Sequence, residues 1–372
     1  MSQLVLITGG AGFIGSHLAD ELLAHGYRVR ALDNLSPQVH GDERRRPDYL
    51  HDEVELEVGD VRDPIAVRRA LNGVDAVFHL AAMVGVGQSM YEVERYTDVN
   101  NRGTAVLLEA LVERPVGKLV VASSMSIYGE GLYRDANGRE VEGVERAREQ
   151  FLRGEWEVRG PDGELLAPAP TPESKRPTLA SVYALSKYDQ ERLCLMIGDA
   201  YRIPTVALRF FNVYGTRQAL SNPYTGVLAI FASRLLNEHG PAIFEDGEQR
   251  RDFVSVLDVA RACRLALEAD AASGHAINIG SGNAYTVREI AERMAKTVGK
   301  EYLVPEITGK YRVGDIRHCF ADISRARALL GFEPQVAFED GLSALAEWLE
   351  GQSAEDRVEE AREQLATRGL TV

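Results

Sequence analysis

The chain predicts a doubly wound α/β fold, a parallel sheet with helices on both faces, joined to a smaller mixed α/β C-terminal unit. Three observations carry this. An aliphatic strand, Leu4-Val5-Leu6-Ile7, runs directly into Thr8-Gly9-Gly10-Ala11-Gly12-Phe13-Ile14-Gly15 and then an amphipathic helix. Strand and helix patterns alternate from there to residue 122, which is the signature of a parallel sheet. Past residue 130 the alternation gives way to a long polar stretch, and the remainder mixes short strands with helices.

Each element has a local reason. Gly9 permits the tight turn out of the first strand. Gly12 has no Cβ, so its backbone can approach a pyrophosphate, and Gly15 lets the helix pack close to the strand. The free N–H groups at that helix start face the anion. Residues 19–25 continue the helix to Gly26, and residues 28–32 form the second strand, closing on Asp33. A carboxylate there accepts hydrogen bonds from adenosine ribose hydroxyls and repels a 2′-phosphate, which favours NAD over NADP. Residues 54–58 are a strand stopped by Gly59, and 65–71 a helix ended near Gly73. Residues 76–80 read as a buried strand, 104–112 as a helix and 118–122 as another strand.

Residues 130–177 are rich in Glu, Arg, Gly and Pro and end in Ala167-Pro168-Ala169-Pro170-Thr171-Pro172. A stretch of that length without core periodicity is a functional loop or a flexible insertion, with a surface helix over 142–152. Order resumes at Ser181, with a long helix to about Ala200 and a strand over 205–211. The tail beyond Gly351 reads as a charged helix over 355–365, and there is no internal repeat.

Composition narrows the class. At 372 residues the chain is long for one core, and 45% apolar content is ordinary for a globular protein. No run of about 18 apolar residues is present, so no membrane span is expected. The N-terminus enters a strand without a basic stretch or cleavage site, so no secretion signal is expected. Cys194, Cys263 and Cys319 are odd in number and scattered, as in a reducing cytoplasm, and none has metal-ligand spacing, so no metal is expected. A net charge of −14 argues against nucleic-acid binding.

Tyr183-Ala184-Leu185-Ser186-Lys187 carries the chemistry. Residues four apart share a helix face, so the phenol and the ammonium lie on one side. A tyrosine titrates near ~10 in water, and a neighbouring Lys⁺ lowers that value, so Tyr183 becomes a general base.

With these motifs in place, the chain resembles the extended short-chain dehydrogenases/reductases of the NAD-dependent nucleotide-sugar epimerase/dehydratase group, from Leu4 to about Phe338 apart from 130–177. The resemblance implies a Rossmann-type NAD domain over 1–185, about 203–215 and 252–282. It implies a nucleotide-sugar domain over 216–251 and 283–350, leaving 351–372 as a tail. It places Gly9, Gly12, Phe13, Ile14, Gly15, Asp33 and Asn34 on the cofactor, and with them Asp60 and Val61 of Gly59-Asp60-Val61-Arg62-Asp63. Leu80, Ala81 and Ala82 of His79-Leu80-Ala81-Ala82 join the same set, as do Asn100, Tyr183 and Lys187.

Ser124 falls on the group's catalytic hydroxyl, giving the triad Ser124, Tyr183, Lys187. Val84, Ser126, Asn212, Arg251, Arg312 and Asp315 are implied for the substrate. Arg251 and Arg312 would hold its diphosphate and Asp315 its nucleoside ribose. In the similar 4,6-dehydratases the two positions after the hydroxyl are Asp and Glu. Here they are Met125 and Ser126, which cannot eliminate water. Decarboxylation of a uronic acid has no specific marker here, and the chemistry that the resemblance implies is 4-epimerisation: transient oxidation at C4, rotation of the 4-keto sugar beside the small apolar run Met83-Val84-Gly85-Val86-Gly87, and reduction on the other face.

The long insertion, Ser124–Gly131 and Asn222-Pro223-Tyr224-Thr225-Gly226-Val227 resemble a dTDP-L-rhamnose 4-epimerase subgroup. A UDP-glucose or UDP-N-acetylglucosamine 4-epimerase, a net NAD(P)H-dependent reductase and a noncatalytic NAD-binding regulator stand as alternatives. Relatives imply a homodimer through the 101–112 and 183–200 helices, where Leu193, Leu195, Met196 and Ile197 fit either a contact face or the core.

Overall fold

The computed structural model describes residues 2–142 and 144–371. Met1, Gly143 and Val372 lie outside it, and with them one end of the expected domain 1–185, part of the expected 142–152 helix and the end of the tail.

Seven strands form one wholly parallel sheet. Five are β1 (Leu4–Thr8), β2 (Arg28–Asp33), β3 (Glu55–Val58), β4 (Ala76–His79) and β5 (Lys118–Ser124), followed by Thr205–Phe210 and Ala276–Ile279. Across the sheet β3, β2 and β1 run in reverse chain order, and β4, β5, Thr205–Phe210 and Ala276–Ile279 run in chain order. The order therefore reverses between β1 and β4, which pair from Val5–Ala76 to Thr8–His79. A reversal of this kind opens a crevice at the carboxyl ends of the strands. β1 is buried throughout, as a central parallel strand must be when helices cover both faces.

Each face has its own core. Leu18, Leu22, Val120, Leu208, Val259 and Ile277 pack together on one side, beneath the helices Phe13–Ala24 and Val256–Glu268. Leu6, Val67, Val77, Leu107, Leu111 and Cys194 pack on the other, beneath Pro64–Ala70, Gly103–Glu113 and Val182–Tyr201. A third core lies off the sheet, where Phe231, Leu235, Phe253, Ile290, Met294, Leu342 and Leu345 join the helices Val227–Leu236, Val287–Thr297 and Phe338–Leu349. The expected contact face on the long helix is divided. Leu193, Leu195 and Ile197 pack on the second core, while Met196 stays 57% exposed.

The long helix is fixed to the sheet by a buried charge pair. Arg209, on the strand Thr205–Phe210, donates to Glu191 through Nε at 2.9 Å and Nη2 at 2.7 Å, and Ser123 at the end of β5 donates to the same carboxylate at 2.6 Å.

Within 130–177 the described residues build regular structure of their own. Leu132–Arg134, Glu140–Val141 and Ala167–Ala169 form an antiparallel sheet with a small core of Tyr133, Val158 and Leu166. Among the described residues of the expected helix, only Arg148–Leu152 is helical, and Arg146 ahead of it is held in ion pairs. Arg146, with a side chain 2% exposed, reaches Glu130 at 3.1 Å and Glu245 at 2.8 Å. Arg317, 1% exposed, reaches Glu245 at 3.0 Å and Asp246 at 2.6 Å, and its Nε donates to Glu157 at 3.1 Å. Phe151 stacks on Tyr311 with ring centres 3.7 Å apart. The insertion is thereby bound to the segment from Tyr311 to His318. The tail helix is Val358–Thr367, and it is not merely a charged helix, because Ala361 and Leu365 are buried.

Removing one member of a buried ion pair leaves the other charge uncompensated, at a cost of about 3–5 kcal/mol. Arg209→Met is therefore expected to destabilise the chain by about that amount in urea or thermal unfolding. Arg153→Met, which breaks an exposed pair with Glu155, is expected to leave the unfolding midpoint unchanged, because water screens such a pair.

Candidate active site

A cleft of about 670 Å³ runs from the carboxyl edge of the sheet to the third core. Its floor is the glycine loop. Gly9 has φ of +70°, and a Cβ there would sit 3.0 Å from the Ala81 nitrogen. A Cβ on Gly15 would meet the Gly10 Cα at 2.7 Å, so the helix–loop crossing admits no side chain. At Gly12 a Cβ would have one near neighbour, the Gly9 oxygen at 3.4 Å, so that face is open for a ligand to approach. The helix that follows has no side-chain cap and no acidic residue in its first turn. Its N–H groups and positive end are thus left for an anion.

Asp33 is buried at the end of β2, accepting from the Ala11 nitrogen at 3.1 Å and the Leu35 nitrogen at 2.9 Å, with His40 Nε2 at 3.6 Å. Asp60 accepts from Asn34 at 2.9 Å and from the Arg62 guanidinium at 2.7 and 2.8 Å, which hold its carboxyl far below the usual range. Phe13, Ile14, Val61, Leu80, Ala81, Ala82 and Val84 complete this part of the wall.

Asn100 lies one layer back from these residues. It is fully buried behind the wall and does not line the cleft. It lies in a π-helical stretch, Thr97–Arg102, and such widened turns re-aim side chains. Its Oδ1 accepts from the Met83 nitrogen at 2.7 Å, and its Nδ2 donates to the Met83 carbonyl at 3.1 Å and Ser186 Oγ at 2.9 Å. Asn100 thus clamps the Met83 loop to the long helix without reaching the cleft.

Ser124, Tyr183 and Lys187 face the same cleft. Ser124 ends β5, and its hydroxyl lies 2.8 Å from that of Ser126. Met125 turns into the core. Ser181 caps the long helix, and Ser89 accepts from the Tyr183 nitrogen at 3.0 Å, fixing its first turn. Lys187 does not lower the Tyr183 phenol as expected. Burial pushes that phenol up, and only the Ser124 hydroxyl beside it pulls the other way. The reason is the direction of the ammonium, which donates to Gln190 Oε1 at 2.7 Å, one turn along the helix. Burial also lowers Lys187 to about 8.

Gln190 is the residue that motif reading missed. Its Nε2 donates to Thr104 Oγ1 at 2.8 Å. Thr104 also bonds to His79 Nε2 at 2.8 Å, and His79 Nδ1 lies 2.8 Å from Thr8 Oγ1, which accepts from the Ala81 nitrogen. Burial lowers His79 to about 3, so it is neutral. One hydrogen-bonded chain therefore runs from the base of the glycine loop to the ammonium. Its sequence signal is helical spacing: Gln190 lies three residues past Lys187.

The far half of the cleft carries the expected substrate residues. Arg251 is braced by the Arg250 and Arg317 carbonyls, each at 2.9 Å, and by that of Ile316. Arg312 and Asp315 form a two-point pair, at 3.1 and 2.7 Å, with Arg312 5.4 Å over the Phe244 ring. Asn212, Gln218 and Gln249 line the same space, and each has a buried side-chain oxygen without a partner among the described residues. Unpaired amide ends aimed into a cleft fit a polar ligand, since a buried oxygen left unpaired is costly. No group of three metal-ligating side chains occurs among the described residues.

The family model described as the NAD dependent epimerase/dehydratase family matches residues 5–148 and 157–280. The chain belongs to that family. It is 36% identical over 349 residues to a dTDP-L-rhamnose 4-epimerase from Burkholderia thailandensis, covering 93% of this chain and 94% of that one. The UDP-glucose 4-epimerase of Thermotoga maritima, solved with UDP-glucose, superposes with a TM-score of 0.77 at 31% identity, covering 94% and 99% of the two chains. That of Thermus thermophilus, solved with NAD, has a TM-score of 0.73 at 32% identity over the same shares. The cofactor of this family is NAD, and the open glycine cradle, the uncapped helix and Asp33 fit it. The chain is an NAD-dependent sugar-nucleotide epimerase by family.

A buried lysine lowered to about 8 binds fewer protons folded than unfolded between there and the unfolded value near ~10.4. Stability contributed by this group therefore rises with pH across that window. Lys187→Met removes the burial penalty, so the variant's gain over the parent is expected to be larger at pH 7 than at pH 10 in urea unfolding.

Proposed function

We propose that the chain is a nucleotide-sugar 4-epimerase acting through Ser124, Tyr183 and Lys187, with dTDP-L-rhamnose as the best reading of its substrate. The observation that carries the reaction is the meeting of these three side chains in one cleft with the glycine loop, while Met125 and Ser126 supply no acid–base pair beside them. Tyr183 takes the C4 hydroxyl proton and later returns it to the 4-keto oxygen. Ser124, within reach of Ser126, donates to the same sugar oxygen and holds it in line. Bound NAD supplies the reversible hydride acceptor. Lys187, steadied by Gln190, holds the nicotinamide ribose, and the positive nicotinamide of bound NAD would favour the phenolate.

The 4-keto sugar turns between the two half-reactions beside Met83–Gly87. That run offers few side-chain polar groups to fix either orientation. Arg251 and Arg312 hold the diphosphate, which suits the planar guanidinium, and Asp315 the ribose, so the nucleotide stays in place while the sugar rotates. The 36% identical relative supports the dTDP-L-rhamnose reading. The Thermotoga structure favours a UDP-hexose as the second. Three buried free cysteines support a reducing, cytoplasmic setting. The exposed Leu185 and Met196 on the long helix support a homodimer through that face.

NMR of the purified chain with dTDP- and UDP-sugars, without added cofactor, tests the reading. The expected outcome is interconversion of C4 epimers with no net NADH. Conversion only with stoichiometric NAD(P)H would make the chain a reductase instead. Tyr183→Phe is expected to lower kcat by roughly 10²–10⁴ while NAD stays bound. Near-normal turnover in that variant would overturn the assignment of the base.

A further inference from the structure

The C-terminal tail is anchored at one end and tied at the other, with the substrate half of the cleft between. At its start, the Ala354 carbonyl accepts from Asn237 at 2.8 Å and the Glu355 nitrogen donates to Ser221 at 3.1 Å. Arg234, only 7% exposed, donates to Glu359 at 3.1 Å and lies 3.6 Å from Asp356. At its end, the Leu370 carbonyl accepts from the Val313 nitrogen at 2.9 Å, and Thr371 makes an antiparallel bridge with Arg312. Between these ties, Val358, Ala361 and Leu365 of the helix Val358–Thr367 line the same cleft as Arg312 and Asp315. A Cβ built on Gly87 would lie 3.3 Å from Leu365, so a side chain at that position would press on the tail. Arg368 sits 4.4 Å over the Tyr91 ring, joining the tail to the far bank.

We propose that this tail is part of the binding site for the nucleoside diphosphate of the sugar nucleotide, with Ala361 and Leu365 as its apolar wall. This rests on the epimerase reading above. The tail acts in two ways. Its backbone tie to Val313 holds the turn from which Arg312 and Asp315 project. Its apolar wall keeps water from one side of the Arg312 guanidinium, which strengthens attraction to a diphosphate. Entry and exit of the nucleotide then require the Gly87–Leu365 contact to part, while the cofactor floor stays intact on the other side of the cleft.

Titration calorimetry with dTDP and with UDP tests this on three proteins: the full chain, a chain ending at Gly351, and Leu365→Glu. NAD content and thermal midpoint report the fold. The expected result is binding of one nucleotide by the full chain and at least tenfold weaker binding by both variants, with NAD retained. In turnover, KM is expected to rise more than kcat falls. Equal binding by all three proteins would overturn the tail's role and leave the epimerase reading standing. If the shortened chain does not fold, Leu365→Glu alone decides. A full chain that retains NAD but binds neither nucleotide would overturn both.

Discussion

The structure depends on how closely the loop after β1 passes the end of β4. A Cβ at Gly9 would press on Leu80 and Ala81, one at Gly10 on Ala31 of β2, and one at Gly15 on the loop at Gly9 and Gly10. That closeness sets the distance between the two halves of the sheet where its order reverses. It also places the free N–H groups of the following helix at the mouth of the crevice. Everything catalytic is measured from there. The chain Thr8–His79–Thr104–Gln190 carries the position of this loop to Lys187, and Asn100 carries it to the Met83 loop.

Charge is used differently in the two halves. In the cofactor half, the buried pair Glu191–Arg209 fixes a helix to a strand and takes no part in the cleft. In the substrate half, Arg146, Arg317, Glu130, Glu157, Glu245 and Asp246 form a network beneath the segment Tyr311–His318. Such a network gains little over an apolar core in stability, but it admits one arrangement of its members. The segment it holds presents Arg312 and Asp315. The insertion grips this segment from one side, through Arg146 and the Phe151–Tyr311 stack, and the tail grips it from the other through Val313.

The sequence is legible where a feature is local. The Thr8–Gly15 turn, Asp33 at a strand end and the four-residue spacing of Tyr183 and Lys187 are each written in one short stretch, and the parallel sheet is written in the alternation around them. It is illegible where partners are far apart in the chain. Nothing in 130–177 signals that Arg146 meets Glu245, about a hundred residues on, so the stretch reads as a loop. Ala361 and Leu365 are two apolar residues on a charged helix, and only the Gly87 and Val313 contacts reveal what they cover. Asn100 and Lys187 were found by position, but their hydrogen-bond partners decide what each does: Asn100 holds a loop, and Lys187 leans on Gln190.

The tie between Val313 and Leu370 makes the order of synthesis matter. The glycine loop, the sheet through Ala276–Ile279 and the long helix with Tyr183 and Lys187 all lie well ahead of residue 370 in the chain. Domains generally fold from the N-terminal side as the chain emerges. The glycine cradle can therefore form early, whereas the turn that carries Arg312 and Asp315 gains its last tie only when residue 370 is free to pair.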